Sequence, residues 1–149
     1  MEAEYRHTQF GTLTIIILLV VGILLSPIIL SLITEGRGLL ILSMVVLYLL
    51  TLTFFYAFTV EISEGRVKWW FGIGAIRKSY LLKEIQATKE VKNPWYYLWG
   101  IKSIPGGWLY AIAPGSAVEL VFKDGRVVRL GTNRPEELRK AIEDSITAR

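Results

Sequence analysis

Two long uncharged runs fill the first part of the chain, and short alternating segments fill the rest. No charged residue occurs from Thr8 to Thr34, and within that run Leu13 to Ile33 exceeds the roughly 20 apolar residues needed to cross a bilayer. A second uncharged run extends from Gly38 to Val60. The pattern predicts two transmembrane helices, at about 10–33 and 38–58. A cleaved signal peptide fits the first run poorly, because the run is too long for such an apolar region and no small-residue cleavage site follows it. Only Thr34-Glu-Gly-Arg-Gly38 joins the two runs, a connection short enough to force an antiparallel helical hairpin.

After Thr59 the continuous apolar pattern gives way to strands and turns. Residues 58–63 and 66–72 flank Glu64-Gly65 as a tight hairpin, with Gly65 supplying positive φ. Residues 117–122 and 126–131 flank Asp124-Gly125, among the strongest hairpin signals, and Val118, Leu120 and Phe122 alternate toward one face. Residues 77–92 and the stretch 93–112 together add two or three further strands with an irregular link. The last segment reads as an amphipathic helix: Asn133 as N-cap, Glu136 completing a capping box, Pro135 in the first turn, and Leu138, Ala141, Ile142, Ser145 and Ile146 at helical spacing. The fold class is therefore an α+β membrane protein. An N-terminal transmembrane hairpin (residues 1–58) precedes a domain (59–149) of about seven antiparallel strands, a sandwich or barrel capped by the C-terminal helix.

Charge adds an orientation. The hairpin loop holds only Arg37, whereas Arg66, Lys68, Arg77 and Lys78 follow the second helix and Arg6 precedes the first. Basic flanks resist translocation, so both chain ends are expected in the cytosol and the protein in the cell membrane as a multi-pass chain. Phe54, Phe55, Tyr56 and Phe58 gather where an interfacial aromatic belt would lie. Residues 61–149, after the second helix, hold fifteen Lys/Arg against ten Asp/Glu, a surplus that would face anionic lipid. Because these charges form no basic run, nucleic acid is not an expected partner.

Candidate chemistry is sparse. Neither apolar run contains an ionisable group of the kind that marks a pump or channel, and Ser26, Ser31, Ser43 and Tyr48 read as helix-packing residues. Pro27 should kink the first helix, its freed carbonyl satisfied locally. The one histidine, His7, falls on the N-terminal tail as a polar anchor and has no second imidazole or thiolate to form a metal set. Glu136/Glu137 and Glu143/Asp144 lie on the polar face of the last helix. Serine without a general base, and the glycine pairs Gly72/Gly74 and Gly106/Gly107 without a phosphate-loop lysine, give no enzyme signature. No catalytic residue, cofactor or metal is expected.

The densest feature lies elsewhere. Residues 93–112 hold three Trp and three Tyr. Asn93-Pro94 initiates a turn, so Trp95, Tyr96, Tyr97, Leu98 and Trp99 are expected to form a compact excursion. Trp108, Tyr110 and Ile112 alternate along a following strand, with Trp108 and Tyr110 expected in or near the core. Together with Gly107-Trp-Leu-Tyr110, Ala117-Val-Glu-Leu120, Gly125-Arg126, Gly131-Thr132 and Pro135-Glu-Glu-Leu138, this stretch resembles the small prokaryotic membrane proteins that carry a bacterial pleckstrin-homology-like (PH-like) domain behind two transmembrane helices. The resemblance runs over most of residues 53–143. It implies a seven-stranded bent sandwich with a C-terminal helix, serving interaction or assembly rather than catalysis. Phosphoinositide-binding relatives use a longer loop between their first two strands; Glu64-Gly65 is too short for one.

Two functions are expected from these readings. In the first, a membrane-anchored scaffold binds a second copy of itself or a membrane protein through Trp95, Tyr96, Tyr97 and Trp99. In the alternative, those rings sit at headgroup level while Arg66, Lys68, Arg77, Lys78, Lys83 and Lys92 touch anionic lipid.

Overall fold

The computed structural model describes residues 4–148. The first described element is a strand, β1 (Tyr5–Phe10), followed by the two apolar helices α1 (Thr12–Thr34) and α2 (Gly38–Phe55). At 1.5 Å per residue these measure about 34 and 27 Å, close to the thickness of a bilayer's hydrocarbon core. Both are long and apolar enough to cross a membrane. They are not core helices of a soluble domain, since Thr14 is the single buried residue between them while Ile23 and Leu39 are 71% and 81% exposed.

The helices pack side by side, and a hydrogen bond clasps them. Tyr48 of α2 lies against Gly22 and donates its hydroxyl hydrogen to the Leu18 carbonyl of α1 at 3.0 Å. Ser26, Ser31 and Ser43, expected to join the helices, instead bond within their own segments. For Ser26 the reason is plain: Pro27 has no N–H to give Ile23, and the Ser26 hydroxyl donates to that carbonyl at 2.7 Å.

The remaining strands are β2 (Ala57–Ser63), β3 (Arg66–Phe71), β4 (Ile76–Leu81), β5 (Ile85–Lys92), β6 (Gly100–Ile104), β7 (Gly107–Ala111), β8 (Ser116–Phe122) and β9 (Val127–Gly131), followed by α3 (Pro135–Thr147). They form two sheets, ordered β1-β2-β3-β4 and β5-β8-β9-β7-β6, with no closed barrel. Among the described residues there are nine strands, not seven, and the pairing is not wholly antiparallel. β8 carries the chain back along the sheet, so β9 can run beside β7 in the same direction, with Trp108 opposite Val128.

β1 is the main departure from expectation. It pairs with β2 along its full length, Tyr5 opposite Ile62 and Phe10 opposite Ala57, so the helical hairpin is an insertion between two adjacent strands of one sheet. The Gly11 N–H donates to the Tyr56 carbonyl at 2.8 Å and closes the insertion at its base. His7, expected in a tail, lies in β1 with Nε2 2.7 Å from Asn133 Oδ1. Asn133 is thereby occupied; Arg134 takes the N-cap position, its N–H received by Thr132 Oγ1, and no capping box forms.

The two sheets face each other across one core. Phe58, Val60, Ile62, Val67, Trp69 and Phe71 meet Tyr110, Ile112, Val118, Leu120, Phe122 and Leu130, and Leu138 and Ile142 of α3 close the gap. Trp69 stacks on Tyr80 at 5.4 Å and meets Tyr110 at 5.3 Å. Two rings assigned to a membrane belt belong to this interior. Phe58 is 1% exposed within β2, and Phe55, at the end of α2, packs 5.6 Å from Phe71. The apolar run had continued past α2 because its last residues are a core strand.

Candidate interaction site at the helix-proximal end

The insertion fixes which end of the sandwich lies beside the helices. On the first sheet, Gly72 follows β3 and approaches α2 so closely that a Cβ there would stand 2.1 Å from the Thr53 carbonyl oxygen. On the second sheet, Thr14 of α1 is buried with its hydroxyl 3.5 Å from the Ile112 carbonyl, and Gly11 leaves room for the Ile112 side chain. Both sheets are therefore pinned to the helix bases. Following each strand from these contacts puts Ile73, Lys92, Asn93, Gly100, Ser116 and Gly131 at the helix-proximal end. The Glu64-Gly65 turn, Lys83, Gly106 and Asp124 lie at the distal end.

Residues 93–99 connect β5 to β6, the two opposite edges of the second sheet. Four interstrand spacings, about 19 Å, separate those edges. The segment must cross the sheet at its helix-proximal end, and it does so over the outer face. Tyr97, together with Val127, packs against the cluster of Ile104, Leu109 and Ala111, so β7 is buried on both sides. At the base of the crossing, buried Asn93 donates its N–H to the Gly115 carbonyl and receives Arg129 on its side-chain oxygen at 3.2 Å. Arg129 in turn bonds Glu119 at 2.6 Å.

The excursion is compact, a single helical turn at Trp95–Tyr97. It then bends through Leu98, at φ 53° and ψ −125°, a conformation normally left to glycine. The four candidate rings separate in this arrangement. Trp95 and Tyr96 are exposed, 79% and 59%, whereas Tyr97 and Trp99 are half-buried. Leu98 and Ile73 add apolar surface at the same end of the sandwich. Trp108 is 51% exposed, contrary to expectation, while Tyr110 is buried. The parity is the same for both, but Trp108 lies toward the distal end of β7, while Tyr110, toward the helix-proximal end, packs on Trp69.

The six basic candidates also separate. Lys92, Arg77 and Lys78 lie within about two residues of the helix-proximal end, and Lys68 lies mid-strand. Arg66 and Lys83 are distal; five residues of β3, about 17 Å, separate Arg66 from Phe71. Residues outside these lists contribute as well. Arg6 stands 5.6 Å over the Trp70 ring and 3.9 Å from Glu61, a position the sequence could not show without knowing that β1 joins this sheet. Among the described residues, no group of three or more His, Cys, Asp or Glu could hold a metal ion.

The perturbed ionisations are structural. Burial raises the Tyr110 phenol above its ordinary value, and a hydrogen bond from Thr88, aided by Arg139, holds the Glu143 carboxyl low. No protein-family model, curated protein or solved structure matches this chain.

Proposed function

We propose that this chain is a non-enzymatic membrane module whose sandwich is clamped onto a transmembrane hairpin and seats its helix-proximal end on the bilayer interface. The carrying observation is the insertion of the helices between β1 and β2, which leaves no linker between helix and sheet. Whatever level the helix bases occupy, the end bearing Trp95, Tyr96, Leu98 and Ile73 lies beside them. Tyr and Trp favour that level, with the ring in the apolar boundary and the polar edge in water. The basic flanks support a cytosolic position for this end and for both termini.

Within this reading the β domain is PH-like. Two sheets with a C-terminal helix over β5 and β8 support that likeness, while β1 and the parallel β7–β9 pair depart from it. The test is photocrosslinking in nanodiscs containing a diazirine-bearing phospholipid, with peptide mapping. Crosslinks at Trp95 or Tyr96 as well as on α1 and α2 are expected; crosslinks confined to the helices would remove the proposal.

One observation favours a second reading, assembly with another copy or a membrane protein. β6 is an open edge, and Trp108 and Ile101 are exposed beside it. Such an edge can accept a strand from a partner. Native mass spectrometry of the wild type beside W95A/W99A and W108A separates the readings, because only assembly predicts a defined oligomer that these changes dissolve.

A further inference from the structure

The outer face of the first sheet carries a feature that the seating of the aromatic turn does not use. Adjacent rows there read Thr8, Thr59, Trp70, Arg77 and then Arg6, Glu61, Lys68, Ser79. At the helix-proximal side of these rows is a hollow of about 410 Å³, lined by Lys68, Trp70, Ile73, Arg77, Lys78 and Ser79, with Gly74 as its floor beneath the Trp70 ring. That volume falls within the range of small-molecule sites.

Its charge is one-sided. Lys68 meets Glu64 at 3.5 Å in a solvent-exposed pair that neutralises it only weakly. Arg77 and Lys78 form no ion pair among the described residues. Arg6 and Arg66 stand at the margin and Lys78, opposite Trp69, springs from the other face, so on this face Arg6, Arg66, Lys68 and Arg77 outnumber the carboxylates Glu61 and Glu64 four to two. The Arg77 guanidinium, the Lys68 ammonium and the Ser79 hydroxyl around one hollow are the donor set of a phosphate site.

We infer that this hollow binds the phosphate of an anionic glycerolipid headgroup. The phosphate would meet Arg77 and Lys68, and the glycerol and upper acyl carbons would lie along Trp70 and Ile73. The lipid source follows from placement, and in that respect the inference rests on the seating proposed above. Arg77 is one residue into β4 from the end that meets α2, roughly 3 Å of strand rise. A headgroup layer is about 5 to 8 Å deep, so the hollow opens within it.

The test titrates the full chain in neutral detergent with dihexanoylphosphatidylglycerol, dihexanoylphosphatidylcholine and inorganic phosphate, by calorimetry. Each basic group near an anionic headgroup contributes about fivefold, so K68Q/R77Q should bind the glycerol lipid roughly thirtyfold more weakly. K83Q, at the distal end, should stay within about twofold of wild type by the same reasoning. Circular dichroism checks that the variants remain folded. Equal binding of the choline lipid, or no loss in K68Q/R77Q, overturns the inference. Inorganic phosphate binding as tightly as the lipid overturns the lipid assignment and gives the site to soluble phosphate compounds. The W95A/Y96A variant keeps the two proposals apart. If it loses lipid while K68Q/R77Q does not, the hollow is refuted and the seating stands; if only K68Q/R77Q loses lipid, the hollow stands without the turn.

Discussion

Replacing Gly72 by alanine tests the contact between sandwich and helices directly. Gly72 has φ +47°, where an L residue costs about 1 kcal/mol or somewhat more. The new methyl would also stand 2.1 Å from the Thr53 carbonyl and close to the Phe54 backbone. These are main-chain atoms of a helix end, which cannot rotate away as a side chain could. Forcing extra volume against packed structure costs about 1 to 3 kcal/mol, so G72A should lose about 3 kcal/mol in all. Gly125 supplies the internal control. Its φ is +85° and nothing lies within 4 Å of its Cβ position, so G125A pays only the backbone term, about 1 kcal/mol. Denaturant unfolding in mild detergent, followed by tryptophan fluorescence, reads the difference, because Trp69 and Trp70 directly precede the Gly72 turn. A gap of about 2 kcal/mol between the variants is expected. Equal losses would show that the turn does not meet α2, and the argument for a rigid clamp would fail.

Other outcomes follow from the same geometry. At Leu98 the usual order of small residues should invert: L98G should be more stable than L98A by about 1 kcal/mol, since only glycine relieves the positive φ; equal stability would mean that the turn relaxes. N93A removes the acceptor of Arg129 from a buried position and should cost about 1 to 2 kcal/mol, measured by the same unfolding assay. Glu143 has a folded pKa below its ordinary 4.5, so its contribution is present above that value and is lost as pH falls through the lower folded one. Acid titration of unfolding should therefore show a limb below pH 4.5 that T88V makes shallower, because Thr88 is the largest cause of the shift.

What the sequence revealed depended on how local the signal was. The helices were legible because an uncharged run of bilayer length has few alternatives, and the Glu64-Gly65 and Asp124-Gly125 hairpins because their glycines sit at positive φ. β1 was not legible: Tyr5 to Phe10 is short and polar, and its partner lies beyond the whole helical insertion. The parallel pairing of β7 with β9 is likewise set by distant segments. The aromatic turn was recognised as an excursion, yet the fate of each ring was not. Whether Tyr97 is covered and Trp95 exposed depends on the segment crossing the sheet, which only the strand order reveals. The basic hollow escaped notice for the same reason, since Lys68 and Arg77 are brought into adjacent rows by register.

The chain has no cysteine, so single spin labels can be placed without background. The most direct test of the seated sandwich is the immersion depth of labels at I73C, K92C and D124C in nanodiscs, measured by power saturation against oxygen and a water-soluble nickel chelate. The first two positions should lie at headgroup depth, and the third, about 20 Å away along β8, in open water. If the labels at 73 and 92 are as accessible to the nickel chelate as the label at 124, the sandwich stands clear of the bilayer and the account is wrong.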